Sequence, residues 1–219
     1  MDGQLDKTGL VITIKNRFDH TWQTFRDLMI SNLPEGLVLV LVDDGSDDDT
    51  AQLVQNFPFG WQISKAVIRH HVSRGVAPSL REGWDMCVDM GCKILINLDN
   101  DVRLKYFWHV RLMDLHKAFP DNIVSGFNTS SHKVVEDHKN FVAKHDIGGI
   151  NMCMSDELYM STVRDCLQSN NWDWAVCQKM NFLHRYFICT KPSVVQHAGV
   201  KEGMHMKPGV DVPDIAEDY

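Results

Sequence analysis

The chain has 219 residues, 44% hydrophobic and 23% charged, with a formal charge of −7. Such a composition suits one large folded unit and excludes a disordered tail. The acidic balance excludes a whole-surface attraction to nucleic acid or anionic lipid, though not a local basic groove. The first predicted element follows from "LVITIKN" (10–16), a β-branched run turning polar, which reads as a buried strand opening into a loop. In 20–33, Trp22, Phe25, Leu28, Met29 and Leu33 recur at helical spacing. "GLVLVLVDDGSDDDT" (36–50) is a continuous apolar strand ending in Asp43 and Asp44, with Gly45-Ser46 as the turn and Asp47 to Asp49 at the positive end of a new helix. A third strand is predicted over 61–70, a helix stopped by Gly91 over 75–91, and a fourth strand in "KILINLDND" (93–101).

The second half is more mixed. A helix is predicted over 106–119, a strand over 122–129, and a hairpin or loop over the polar 130–146. "GGINMCMS" (148–155) is a strand begun by glycines, followed by helices over 156–168 and, after an Asn cap, 170–186. Two short strands flank a proline break in 187–199, and the tail from 200 reads as a lid or wrapped arm. No apolar run approaches the ~20 residues of a membrane helix. The N-terminus "MDGQLDKTGLVITI" has no basic start, long apolar stretch or cleavage-like site. A cytoplasmic protein with no membrane span is therefore expected. The six cysteines form no CxxC pair and read as reduced, buried thiols. The eleven histidines lack zinc-ligand spacing.

Alternating strands and helices with near-continuous apolar strands imply a parallel sheet covered on both faces. Ligands of such sheets bind at the carboxyl ends of the strands. Three polar clusters fall there: Lys15-Asn16-Arg17, Asp43-Asp44 and Asp99-Asp101. Two carboxylates one residue apart repel unless a cation lies between them. Asp99 and Asp101 are therefore either a solvated acidic turn or a site for Mg²⁺ or Mn²⁺, which take carboxylate oxygens together with substrate phosphates. Asp44 is either a helix cap or an acceptor for a base or ribose at the crevice. Asp173, between Trp172 and Trp174, is either a helix-start carboxylate or a general base desolvated by aromatic walls. His197 is either structural or a neutral imidazole completing a metal site.

In this order the pieces resemble the family 2 glycosyltransferases of the GT-A fold, a Rossmann-like mixed sheet flanked by helices. The resemblance runs over about 9–200 and is carried by "VITIKNRFDHTWQTFRDLM", "LVLVDDGSDDDT", "LINLDNDV", "GGINMCMSDELY…NNWDWAVCQ" and "PSVVQHAG". It implies one GT-A domain over 1–219, with a nucleotide-binding half at about 9–104, an acceptor half at about 105–199 and a tail or lid at 200–219. By that resemblance Thr13, Asn16 and Arg17 line the nucleotide pocket and Asp44 accepts from the base, typically uracil. Asp99 contacts the ribose and metal region, Asp101 binds the metal that bridges the diphosphate, and His197 is a further metal ligand. Asp173 deprotonates the acceptor hydroxyl for inverting displacement. The implied cofactor is Mn²⁺ or Mg²⁺ and the implied donor a nucleotide sugar, with UDP-sugar preferred.

Two departures stand out. Trp-Asp-Trp lacks the acid that usually precedes the base, which makes Asp156 and Glu157 fallback candidates. The downstream signature of processive polysaccharide synthases is missing, which predicts a soluble, single-transfer enzyme. The acceptor stays open among a glycan or polysaccharide, a lipid-linked sugar, a protein and a hydroxylated DNA base, as in a phage. DNA demands a concentrated basic groove, for which Arg69 to Arg81 with Lys133, Lys139 and Lys144 are the candidates. A GT-A-like nucleotidyltransferase is one alternative, although "TIKNRFDHT" lacks the expected glycine-rich loop. A non-catalytic sugar-nucleotide-binding protein is the other.

Overall fold

The computed structural model describes residues 6–169, 171–199 and 215–219. Most of the expected tail or lid, 200–214, lies outside the described residues. The first half alternates as predicted: β1 (Thr8–Ile14), α1 (Phe18–Ile30), β2 (Leu37–Asp43), α2 (Thr50–Asn56), β3 (Ile63–Arg69), α3 (Val76–Asp89) and β4 (Ile94–Asp99). There follow β5 (Val102–Leu104), α4 (Trp108–Ala118), β6 (Ile123–Ser125), a hairpin of β7 (Val134–Asp137) and β8 (Phe141–Lys144), and β9 (Asn151–Ser155). The chain closes with α5 (Asp156–Leu158), α6 (Trp172–Phe182), β10 (Phe187–Thr190) and β11 (Val195–His197).

Among the described residues the main sheet has nine strands in the order β3-β2-β1-β4-β9-β6-β10-β8-β7. The parallel sheet expected from the first half holds for β3-β2-β1-β4. β9 then runs antiparallel to β4, so the whole sheet is mixed. Successive strand residues point to opposite faces, and the apolar runs fill both. Leu10, Ile12, Leu39, Leu41, Ile96 and Leu98 pack with Phe25 of α1 on one face. Val11, Val40, Val42 and Leu95 pack with Trp84 of α3 and Val176 of α6 on the other. By the same alternation Asp99 shares the face of Leu95, which is the α6 face. Helix α6 therefore lies on the face of the sheet that Asp99 shares.

Two elements differ from expectation. The run 156–168 is not one α-helix: α5 continues as a wide π turn (Tyr159–Val163) and a tight 3-10 turn (Arg164–Gln168). Its side chains are tied to α3. The Tyr159 hydroxyl donates to Asp85 at 2.7 Å and Arg164 grips both oxygens of that carboxylate at 2.8 Å. The second difference is β5, which was not foreseen. It pairs antiparallel with β11 in a small sheet that sets His197 opposite Val102. As expected, the cysteines are free thiols, all buried except the half-buried Cys166.

Helix α4 carries a stability switch. His109 and His116 are both buried, and burial lowers both, His109 to about 4. The fold thus favours neutral His109, whose ordinary value is 6.5. Its contribution is whole above 6.5 and is lost as pH falls toward 4, by about 3 kcal/mol at most. Thermal unfolding temperature should fall across this window, and His109→Leu should flatten the fall. An equally steep fall in the variant assigns the acid sensitivity elsewhere.

Candidate active site

The parallel register brings the ends of β1, β2 and β4 to one edge. Thr13 stands opposite Val42 on one side and Asp99 on the other. The loop after β1 makes a sharp turn, with Asn16 at φ 54° and Arg17 at φ 68°, the left-handed region that non-glycine residues seldom adopt. Hydrogen bonds hold it there. Asn16 N–H donates to Ser46 Oγ at 2.8 Å, and its side chain exchanges bonds of 2.8 and 2.9 Å with Asp47. Asn100 donates to the Asn16 carbonyl and to Thr21 Oγ1. Asn16 was expected to line the nucleotide pocket. Its side-chain amide joins the first strand end to the second.

Asp44 is also occupied. One carboxylate oxygen accepts from His70 Nδ1 and Arg74 N, both at 2.7 Å; the other accepts from Ser73 Oγ at 2.6 Å and Gly75 N at 2.8 Å. Two bonds to each oxygen fill a carboxylate's capacity. Burial tends to raise its pKa, but these bonds outweigh burial and hold it below the ordinary value. In this conformation Asp44 latches the 70–75 loop, and a base reaches its oxygens only by displacing one of those donors. The latch extends outward through His70 Nε2, 2.9 Å from Glu82. The latch of His70, Ser73 and Glu82 was not legible in the sequence, where His70 stood only in a basic cluster and Ser73 and Glu82 carried no signal.

The second cluster surrounds Asp101, which is 3% exposed. Its Oδ2 receives Arg17 Nη1 and lies 3.2 Å from His197 Nε2. Arg17 Nη2 also donates to the Gly199 carbonyl at 3.0 Å. The β5–β11 pairing and a 2.8 Å bond from Ala198 N–H to the Asp101 carbonyl explain why His197 arrives here. Burial first, then the Asp101 charge, pushes Asp99 up to about 8. Burial also tends to raise Asp101, but the hydrogen bond and charge of His197, then the charge of Arg17, keep it below its ordinary value.

The donor set partly fits a small divalent cation. Two ligands each about 2.1 Å from one ion, near a right angle, lie about 3 Å apart, and Asp101 and His197 meet that spacing. Among the described residues no three His, Cys, Asp or Glu side chains already form a metal cage. The expected trio of Asp99, Asp101 and His197 is thus represented by one contacting pair, with the Arg17 guanidinium supplying positive charge at the shared oxygen. Gly199, which sequence reading passed over as a tail glycine, is packed against the same oxygen. A Cβ there would lie 2.0 Å from Asp101 Oδ2.

Asp173 opens α6, and its charge adds to the potential that raises Asp99. Gly149 sets the position of that helix end. A Cβ on Gly149 would meet the Trp172 ring at 2.4 Å, while its carbonyl accepts from Asn97 of β4 at 2.7 Å. The aromatic-wall expectation is corrected: Trp172 is a core residue and Trp174 is 56% exposed. Asn171 holds the cap position of α6 without a side-chain cap bond. Gly149→Ala should lower stability by roughly 1–3 kcal/mol through overpacking. It should also reduce turnover while Mn²⁺ affinity holds. Unchanged thermal stability would show that Trp172 yields freely.

The fallback bases lie elsewhere. Ser155 pairs with Ile94 at the start of β4, so Asp156 and Glu157 belong to the opposite edge of the sheet, where Asp156 binds Lys93 at 2.7 Å. Of the residues proposed for a basic groove, Lys133 and Lys139 are exposed. Lys144 is buried, and Arg69, Arg74 and Arg81 each face a carboxylate: Asp43, Glu82 and Asp85.

A parallel β3-β2-β1-β4 unit with carboxylates at its strand ends, joined through the antiparallel β9 to a mixed second half, is the GT-A architecture. A family model for glycosyl transferase family 2 matches residues 10–175, and the chain belongs to that family. The nucleotidyltransferase alternative gives way to this assignment. No curated protein matches the sequence. Among solved structures, GalNAc-T7 with UDP, GalNAc and Mn²⁺ is similar at a TM-score of 0.71 and 13% identity, covering 90% of this chain and 44% of that one. The mannosyltransferase PcManGT from Pyrobaculum calidifontis, in complex with GDP-Man and Mn²⁺, is similar at 0.69 and 14% identity, covering 93% and 60%. This chain therefore spans only 44% and 60% of the lengths of these two proteins. Among the described residues, no helix is long and apolar enough to cross a membrane.

Proposed function

We propose that the chain transfers a sugar from a nucleoside-diphosphate donor, UDP-sugar by preference, to a hydroxyl acceptor with inversion. The observation that carries this reading is the meeting of three strand ends at one edge. Asp44 with its latched loop lies at β2, Thr13 and Arg17 at β1, and Asp99 and Asp101 at β4. β2 and β4 flank β1, two strand spacings or about 10 Å apart. The base end at Asp44 and the diphosphate end at Asp101 thus bracket a nucleotide laid across β1. The nucleotide falls to the 9–104 half and the acceptor to the 105–199 half.

Asp101 and His197 are the residues to hold Mn²⁺ or Mg²⁺, with Asp99 beside them. Both similar structures were solved with Mn²⁺ and a nucleotide. A bound divalent ion stabilises charge on a departing diphosphate. Asp173 accepts the proton of the acceptor hydroxyl. The hydroxyl oxygen bonds to the anomeric carbon as the bond to the diphosphate breaks, and the diphosphate leaves with that electron pair. The exposed Trp174 and half-buried Asp173 leave the acceptor side of α6 open.

The test is release of nucleoside diphosphate from a panel of UDP- and GDP-sugars, with Mn²⁺ or with chelator. Release that requires the metal is expected. Absence of release from every donor, alongside retained nucleotide binding, favours the non-catalytic alternative.

A further inference from the structure

Resting on the assignment of Asp101 and His197 as the cation-binding pair, we propose that Arg17 is an internal counter-cation. It occupies Asp101 until a divalent ion displaces it. The two cannot share the site. Asp101 Oδ2 already receives the guanidinium and stands against His197, while the Gly199 backbone closes over it. The Arg17 side chain is 17% exposed and held at two points, Asp101 and the Gly199 carbonyl. Its left-handed backbone follows Asn16, which Asp47 and Asn100 hold, and the Arg17 carbonyl accepts from Thr21 N–H at 3.0 Å. The guanidinium is thus placed by the turn and is not a surface side chain that happened to settle there.

The physical consequence is competition. A guanidinium partly neutralises the buried charge of Asp101. A divalent ion does so more fully but needs the same oxygen and is repelled by the charge already present. Metal binding without nucleotide must therefore break a charge-assisted hydrogen bond in a nearly closed site. Once displaced, the planar fork of Arg17 suits bidentate contact with a phosphate. A diphosphate gives the arginine a new partner and at the same time opens Asp101 to the metal. This couples the two ligands through one side chain, beyond any contact they make with each other, and the coupling is reciprocal.

The sign of this effect is unusual for a residue of a metal-diphosphate site. Removing Arg17 should strengthen binding of Mn²⁺ alone. Mn²⁺ titration of the intact chain without nucleotide, followed by the loss of free-ion EPR signal, compares wild type with Arg17→Gln. The variant should bind roughly tenfold tighter, the size of one charge-assisted hydrogen bond. The further gain in Mn²⁺ affinity on adding UDP should be smaller in the variant than in wild type. Arg17→Met, which keeps the aliphatic stem, gives a second reading should Arg17→Gln fold poorly, and the same tightening is expected. Equal or weaker Mn²⁺ binding in folded variants, with wild type binding normally, overturns the counter-cation role and leaves the metal pair standing. Failure of wild type and variants alike to bind Mn²⁺, with and without UDP, overturns both.

Discussion

Asp101→Asn should abolish measurable Mn²⁺ binding and reduce sugar transfer by roughly 10²–10³-fold, the scale on which single charge-stabilising groups at a reacting centre act. Asparagine keeps the volume and one carbonyl oxygen, so Arg17 and His197 retain a neutral acceptor and the site need not collapse. What is lost is the negative charge, which burial tends to suppress and which His197 and Arg17 sustain. Asp101→Ala removes the acceptor as well. It leaves the guanidinium of Arg17 and the ring of His197 facing a gap beneath Gly199, and it should be the less stable of the two. Transfer kinetics with thermal unfolding separates the cases. A folded Asp101→Asn that keeps Mn²⁺ affinity and turnover within about threefold of wild type moves the cation site away from β4.

The site was legible in part because buried strands announce their ends. Six apolar residues before Asp43, and the apolar run before Asp99, leave only one edge of the sheet for the polar residues that follow. The parallel register then fixes Thr13 beside Asp99 without any knowledge of loops. The use to which each polar group is put was less legible, because partners come from distant segments. Asp44 meets donors 26 to 31 residues away, and Arg17 meets Asp101 across 84 positions. The β5–β11 sheet was half hidden for the same reason. Three-residue strands carry no periodicity, and the pairing becomes visible only when Val102 and His197 are side by side. The helix over 156–168 was misread because helical spacing says nothing of a neighbouring carboxylate, and Asp85 holds both Tyr159 and Arg164.

These placements also make the division between the two halves physical. Asp99 carries the α6 face of the sheet to the strand end, while the amide of Asn97, on the same face, fastens the Gly149 carbonyl and the Met152 N–H. The glycine that admits the Trp172 ring is thus tied to the strand that presents Asp99. A shift of α6 is resisted by β4 itself, and Asp173 and Asp99 are positioned by one connected set of contacts.

Asp173→Asn should therefore lower turnover by about 10²–10⁴-fold, the range for loss of a positioned general base. Donor and Mn²⁺ affinity should stay near wild type. The variant is conservative in this setting. The Asp173 Oδ1 accepts the Trp174 N–H at 2.8 Å, and an asparagine carbonyl can keep that bond, so the first turn of α6 survives. Loss of charge removes one minor contributor to the raised Asp99. A fall in kcat with KM for donor unchanged marks a group used in the reaction and not in binding. Transfer to an acceptor should suffer far more than slow donor hydrolysis, because water is not held against the Asp173 carboxylate as an acceptor hydroxyl is. Full activity in Asp173→Asn would remove it as the base. Asp156 and Glu157 could not replace it, since β9 carries them to the far edge of the sheet. The search would then return to Asp99, the carboxyl group at the end of β4 that shares the α6 face of the sheet.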